Sequence, residues 1–230
     1  MQNNSGGLLS KSASAYEYLR RLAIEGRLRP GRRLSPPDVA AELQVSVTPV
    51  RDALARLAAD GFIAGRDGRG YTTKAYTVDE QRDLAQLLLS QSVTALYAAG
   101  ERGQQVAKAA LERLEAAVIQ PEAGPAIAGQ FVAAFDNLIS EFAAASGNKV
   151  LPGLLQNLLD RTHYLRVLDA REGVHRLAKA TVMRTLVDAM AAGNLTGAVG
   201  MMRNHLAQYA ERLGPLVAEA NLASADLKFP

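Results

Sequence analysis

The chain has 230 residues and a formal net charge of +3, with 48% hydrophobic and 21% charged residues and neither Cys nor Trp. Such a composition excludes a mainly disordered protein, and the lack of Cys excludes disulfides, thiolate zinc sites and Cys nucleophiles together. There is no apolar run long enough to span a bilayer and no signal-peptide core near the N-terminus, so the expectation is a soluble, cytoplasmic protein with no membrane partner.

Charge is unevenly placed. Residues 1–75 hold 12 Lys/Arg against 7 Asp/Glu, and the remainder holds 14 against 16. A basic first third joined to a slightly acidic remainder suggests two parts, the first facing a polyanion.

In chain order, residues 1–12 are rich in Asn, Ser and Gly and read as a flexible tail. A helix is predicted from Ala13 to Glu25, with Tyr16, Leu19, Leu22 and Ala23 on one stripe, ended by Arg29-Pro30-Gly31. Ser35 is placed to cap a short helix that starts at Pro36 and carries Val39, Ala40 and Leu43. A turn over Gln44 to Val47 leads to a helix from Thr48 to Ala59, with Val50, Ala53, Leu54 and Leu57 inward and Gly61 just past its end. Two strand-like stretches follow, Phe62–Gly65 and Tyr71–Lys74, joined by Arg66-Asp67-Gly68-Arg69-Gly70, whose Asp-Gly favours a hairpin turn.

From Val78 to about Leu222 the sequence turns Ala/Leu-rich at helical spacing. Breaks fall at Gly100–Gly103, Pro121–Pro125, Ser146-Gly147-Asn148, Arg171–Gly173 and Gly193-Asn194, and Thr77-Val78-Asp79-Glu80 forms a capping box. The pattern predicts an antiparallel bundle of about six helices over 76–222, with 223–230 frayed. The fold class is therefore mainly α: an N-terminal winged helix-turn-helix over 13–75, then an all-helical domain.

Three short helices with a two-stranded wing are the architecture that sets a recognition helix in a DNA major groove. At about 100° per residue from the inward Val50, positions 48, 52 and 55 face outward, with Arg51 to one side. Ser46 and Thr48 offer hydroxyls at the positive end of that helix, suited to phosphates, and Arg51 can reach a phosphate or a guanine edge. Arg69, between Gly68 and Gly70, can lie along a groove with no bulky neighbour. Arg32, Arg33 and Arg66 are either further phosphate contacts or solvated loop charge.

Residues 13–75 resemble the DNA-binding domain of GntR-type bacterial transcription regulators. The matching stretches include Gly26 through Ser35, Val45-Ser46-Val47-Thr48-Pro49-Val50-Arg51-Asp52 through Leu57, Asp60-Gly61-Phe62-Ile63 and Gly68-Arg69-Gly70. The remainder resembles the effector domain of the FadR subfamily through Ala145-Ser146-Gly147-Asn148, Leu186–Asn194 and Met202-Arg203-Asn204-His205-Leu206. The resemblance implies a ligand-responsive, sequence-specific regulator, most often a repressor, acting as a homodimer on a double-stranded operator under control of a small organic effector. It also implies DNA contacts from Ser46, Val47, Thr48, Arg51, Gly68, Arg69 and Gly70. Two arginines frequent in the family are replaced, by Pro37 and Val47.

Many members of the subfamily hold a divalent metal through one Asp and three His. Here those positions fall on Val132, Asp136, Met183 and His205, of which only His205 keeps the usual ligand. One carboxylate and one imidazole fall short of a tight transition-metal site, so a metal-free cavity is expected, with Asp136, Met183 and His205 as effector-binding residues. His205 remains open between a ligand contact and a packed side chain. His163 and His175 remain open between exposed or partner-bonded histidines and recruits to a metal site. Leu84, Leu87, Leu88 and Leu89, with Ser90 and Gln91, suggest a cavity wall that favours a less acidic effector. No nucleophile or phosphate-loop motif is present, and Asp79-Glu80 reads as a helix-start pair, so catalysis is not expected. The alternative class is a helical ligand-binding protein or enzyme whose winged part serves only as an interaction module.

Overall fold

A computed structural model describes the backbone of residues 5–66, 70–118 and 125–225, and side chains over 13–65, 70–110, 127–172, 175 and 178–223. The chain divides into two units, residues 77–217 and residues 1–76 together with 218–230.

In the first unit, α1 (Ser5–Ile24), α2 (Pro36–Glu42) and α3 (Val47–Ala59) surround one core with β1 (Arg33–Leu34), β2 (Ile63–Arg66) and β3 (Gly70–Thr73). Tyr16, Leu19, Leu22, Leu34, Val39, Val50, Leu54, Leu57, Ile63 and Tyr71 are all buried there, so the inward stripes of all three helices meet. α1 starts at Ser5 rather than Ala13. Once the packed segment has nucleated a helix, adding residues such as Leu8, Leu9 and Lys11 costs little, so the segment expected as tail is helical from Ser5 onward.

The sheet has three strands in the order β1-β3-β2, all antiparallel. β1 was not foreseen. Thr73 secures it: the Arg32 and Thr73 amides donate to the Thr73 hydroxyl and the Arg32 carbonyl, both at 2.9 Å, and the Thr73 hydroxyl donates to the Arg29 carbonyl. The segment after the Pro30-Gly31 break is thereby pinned alongside the wing. At Gly65 (φ +129°) a Cβ would lie 2.3 Å from the Gly70 carbonyl oxygen, so only glycine allows β2 and β3 to approach this closely.

Between α2 and α3 the turn closes on Gln44, a non-glycine residue at φ +52°. The Val45 amide reaches back to the Ala40 carbonyl at 3.0 Å and the Gln44 amide to Ala41 at 3.3 Å, which satisfies the last carbonyls of α2. Ser35 and Ser46 sit at the N-cap positions of α2 and α3, yet neither side chain makes a cap bond. Ser35 therefore marks the helix start by backbone alone, with Pro36 at the first helical position supplying the preset φ.

The second unit holds α4 (Val78–Val118), α5 (Pro125–Ala145), α6 (Leu151–Arg171), α7 (Gly173–Ala191), α8 (Leu195–Glu211) and the first turn of α9 (Leu213–Ala225). α4 packs on α5, α6, α7 and α8. The break expected at Gly100–Gly103 is confined to Gly100 (φ +53°, ψ −133°). Gly103 is buried where α4 meets α7, and a Cβ there would sit 2.9 Å from the Ala99 Cβ and 3.2 Å from the Met190 methyl. It is a close-approach glycine within the second segment of α4. The capping box is half made: Thr77 accepts from the Glu80 amide at 3.3 Å, while the Glu80 carboxylate takes Arg161 at 2.8 Å.

Two connections follow the expected chemistry. Gly147 (φ +75°) ends α5, and the Asn148 side chain accepts from the Val150 and Leu151 amides to open α6. Gly193 (φ +75°) ends α7, and Asn194 caps α8 by accepting from the Gly197 amide at 3.0 Å. The helical unit closes at Val217 rather than 222. Beyond it, the Asn221 side chain brackets Tyr76, accepting from its amide and donating to its carbonyl, each at 3.0 Å. α9 is helical to Ala225, two residues beyond the expected start of fraying, and 226–230 lie outside the described residues.

Candidate functional sites

Ser46, Thr48, Arg51 and Asp52 are exposed on α3, while Pro49, Val50, Ala53 and Leu54 are buried. The helix therefore shows its N-terminal amides and its hydroxyls outward above a closed core, with no acidic residue in its first turn. Positive partial charge is left uncancelled there. Val47, also expected to contact DNA, is half-buried against the core and offers an apolar surface there.

At the far end of α3, the Tyr16 hydroxyl donates to the Asp60 carboxylate at 2.6 Å and the Arg56 guanidinium lies 3.8 Å from the Tyr16 ring centroid. Burial, then the Asp60 bond, pushes the Tyr16 phenol up to about 12, so the donor persists at all physiological pH. This clamp holds α1 on α3 and so fixes the orientation of the exposed α3 face.

Of the wing residues, Gly68 and Arg69 lie outside the described residues. Gly70 takes φ +87° at the start of β3, and its missing side chain faces the Arg33 guanidinium at 3.7 Å. Arg33 is exposed on β1 and is thus a wing-side cation. Its signal in the sequence was the Arg32-Arg33 pair directly after Pro30-Gly31.

Inside the helical unit, Phe135, Lys179, Val182, Met183, Leu186, Met202 and His205 line a cavity of about 10 Å³, room for one water. Met183 and His205 thus meet at one place. The His205 ring lies 5.6 Å from that of Phe135, tilted 43°. Burial, then Lys179, lowers the His205 imidazole to about 4, so it is neutral at pH 7.

Asp136 does not join them. Its carboxylate takes both terminal nitrogens of Arg166, at 2.5 and 3.1 Å, and the His163 Nδ1 at 3.3 Å. Burial alone would raise its pKa, but Arg166 and then His163 more than offset that, and the group is held below the usual carboxylate range. Arg166 is itself buried, donating also to Thr162 at 3.1 Å and to the Leu159 carbonyl at 2.8 Å. Asp136 is accordingly a structural counter-ion in place of the effector contact expected of it.

Lys179 takes the polar place at the cavity. It is buried and ion-pairs with Asp169, which also accepts from Arg212 at 2.7 and 3.0 Å, with His175 at 3.7 Å. Burial lowers the Lys179 pKa, and Asp169 opposes the shift. The sequence signal was present in the one-turn spacing of Lys179 and Met183, but a Lys on a mostly apolar helix reads as solvated until its partner is known.

The subfamily's metal does not fit these side chains. Val132 is buried hydrocarbon, Met183 offers a thioether, Asp136 is saturated by Arg166 and His163, and His205 sits beside an ammonium. Leu84 and Leu88 are buried in the core, Leu87 is exposed, and among the described residues none of α4 lines the cavity, which corrects the expectation that this leucine cluster forms its wall.

Residues 11–72 match the family described as bacterial regulatory proteins, gntR family, and residues 86–208 match the FCD domain. The chain belongs to the GntR family. It is a DNA-binding transcriptional regulator whose FCD domain is the effector-binding part. Among its relatives, the Nta operon transcriptional regulator of Aminobacter aminovorans is 28% identical over 150 residues, covering 64% of this chain and 70% of the relative. The uncharacterized HTH-type transcriptional regulator YdhC of Bacillus subtilis is 25% identical over 165 residues, covering 70% and 71%. The fold is shared with E. coli McbR/YncC, at a TM-score of 0.65 and 20% identity over 88% of this chain and 96% of that one. Among the described residues, no helix of this GntR regulator is long and apolar enough to cross a membrane.

Proposed function

We propose that this regulator is a cytoplasmic repressor that binds a palindromic operator as a homodimer and releases it when an organic effector enters the helical unit. DNA is met by Ser46, Thr48 and Arg51 on α3 and by Gly68, Arg69 and Gly70 at the wing, with Arg33 as an added phosphate contact. The observation that carries this reading is the first turn of α3, with exposed hydroxyls, no side-chain cap and no acidic residue. Backbone amides of this kind, beside Arg51, suit phosphate and base edges.

The effector has an apolar body, matched to Phe135, Val182, Met183, Leu186 and Met202, and a polar end that meets Lys179 and the neutral His205. A cavity this small must open to admit it, so the effector favours an opened state of the helical unit. Any coupling to DNA equals its differential affinity for the two states. The protein acts by binding and performs no catalysis of its own.

Footprinting on the DNA flanking its own coding region, with and without candidate metabolites, tests the reading. Protection of a short inverted repeat, lost on adding one metabolite, is the expected result. Binding with no sequence preference would favour the interaction-module alternative.

A further inference from the structure

The outward side of α3 is built in two rows. Val47, Arg51 and Ala55 follow one another at four-residue steps, and Thr48, Asp52 and Arg56 form the next row. Arg51 and Asp52 are exposed, whereas Val47 and Ala55 are half-buried and pack against the core of the unit. Arg51 is thus flanked along its row by hydrocarbon on both sides. Asp52 shows what such a surface suits. A carboxylate set among phosphates is repelled, so a helix that presents Asp52 beside Arg51 is matched to base edges as well as to backbone.

Val47 is the first residue of α3, directly after Ser46 at the N-cap. A recognition helix enters the major groove with its N-terminal residues against base edges. The Val47 side chain brings no donor and no acceptor to that groove. Being β-branched and held against the core, it also has little rotamer freedom left to lose on binding. One group in the major groove matches hydrocarbon, the 5-methyl of thymine. Guanine, adenine and cytosine present acceptors or amino donors there, which an apolar side chain would cover and leave unpaired.

We infer that Val47 is a specificity residue that reads a thymine methyl in each operator half-site. The inference rests on the DNA-binding reading above and adds the base chemistry that the half-site carries. Spacing places that base. Val47 and Arg51 lie about 6 Å apart along the helix axis and stacked base pairs about 3.4 Å apart, so a helix following the groove sets their contacts about two base pairs apart.

The test starts from the inverted repeat that the full chain enriches from a random DNA library. Each thymine is replaced in turn, in both half-sites, by uracil, which removes the methyl and nothing else. Binding of the wild type and of Val47→Ala is then measured by fluorescence anisotropy, with circular dichroism as a check on folding. The uracil duplexes need no change in the protein, so the wild type alone already tests the methyl. Uracil at one position should weaken the wild type by about four-fold per half-site, the value of burying one methyl group. Val47→Ala should lose a similar factor on the thymine duplex and little more on that uracil duplex. Uracil tolerated at every position would overturn the thymine contact and leave DNA binding standing. A uracil effect as large in Val47→Ala as in the wild type would assign the methyl to another residue and overturn the role of Val47. A Val47-dependent thymine more than about three base pairs from the position relaxed by Arg51→Ala would overturn the placement. A library that yields no enriched sequence would overturn the reading on which the inference rests.

Discussion

Lowering the pH from 7 to 5 should destabilise the helical unit through His205. Its imidazole is held neutral by burial and by Lys179, with a folded-state pKa of about 4 against an ordinary 6.5. A histidine whose pKa is depressed in the folded state contributes stability that is complete above 6.5 and is lost as pH falls toward 4, because the unfolded chain then binds the proton first. The full loss is about 3 kcal/mol, reached below pH 4, and about 2 kcal/mol of it has gone by pH 5. His205→Gln removes the titration and keeps a polar side chain at the cavity. Urea unfolding of both proteins at pH 7 and pH 5 isolates the effect: the wild type should lose about 2 kcal/mol more than the variant. Equal losses in the two proteins would refute the reasoning and return His205 to an ordinary, hydrated environment.

Further outcomes follow from individual contacts. Asp136→Ala leaves buried Arg166 without its counter-ion and should cost about 3–5 kcal/mol in chemical unfolding, whereas Asp136→Ala with Arg166→Met should recover most of that; a single-variant loss below about 1 kcal/mol would contradict the assignment. Gln44→Gly relieves the positive φ in the turn before α3 and should raise stability by about 0.5–1 kcal/mol, read as a higher urea midpoint; a lowered midpoint would mean that the Gln side chain supports the turn. Arg51→Ala should weaken specific DNA binding by about 1–3 kcal/mol and relax sequence choice, and Arg69→Ala should weaken all DNAs more evenly, both measured by fluorescence anisotropy; unchanged binding in both would remove the winged motif from the mechanism.

Local chemistry made much of the fold legible. Gly61, Ser146-Gly147-Asn148 and Gly193-Asn194 act within a few residues of themselves, and the apolar stripes of α1 and α3 name their own buried face. β1 was hidden because a two-residue strand has no period to read; it exists through Thr73, 41 residues away from Arg32. Gly103 read as a breaker because its reason is Met190 on another helix.

The site divides along the same line. Met183 and His205 were placed by resemblance, and the structure puts both on one cavity. Asp136 was misjudged and Lys179 was not singled out because their partners, Arg166 and Asp169, are 30 and 10 residues away, and a charge cannot be assigned until the group that cancels it is known. Leu87 shows the converse. It belonged to an apolar cluster in the sequence, yet it points away from the core that Leu84 and Leu88 occupy.

Selection of bound sequences from a random DNA library by the purified chain tests the central claim most directly. The account predicts enrichment of one inverted repeat, lost in Arg51→Ala, with affinity for it falling steeply as salt rises through release of phosphate counter-ions. A library that emerges unenriched, from a folded protein at low salt, would contradict it.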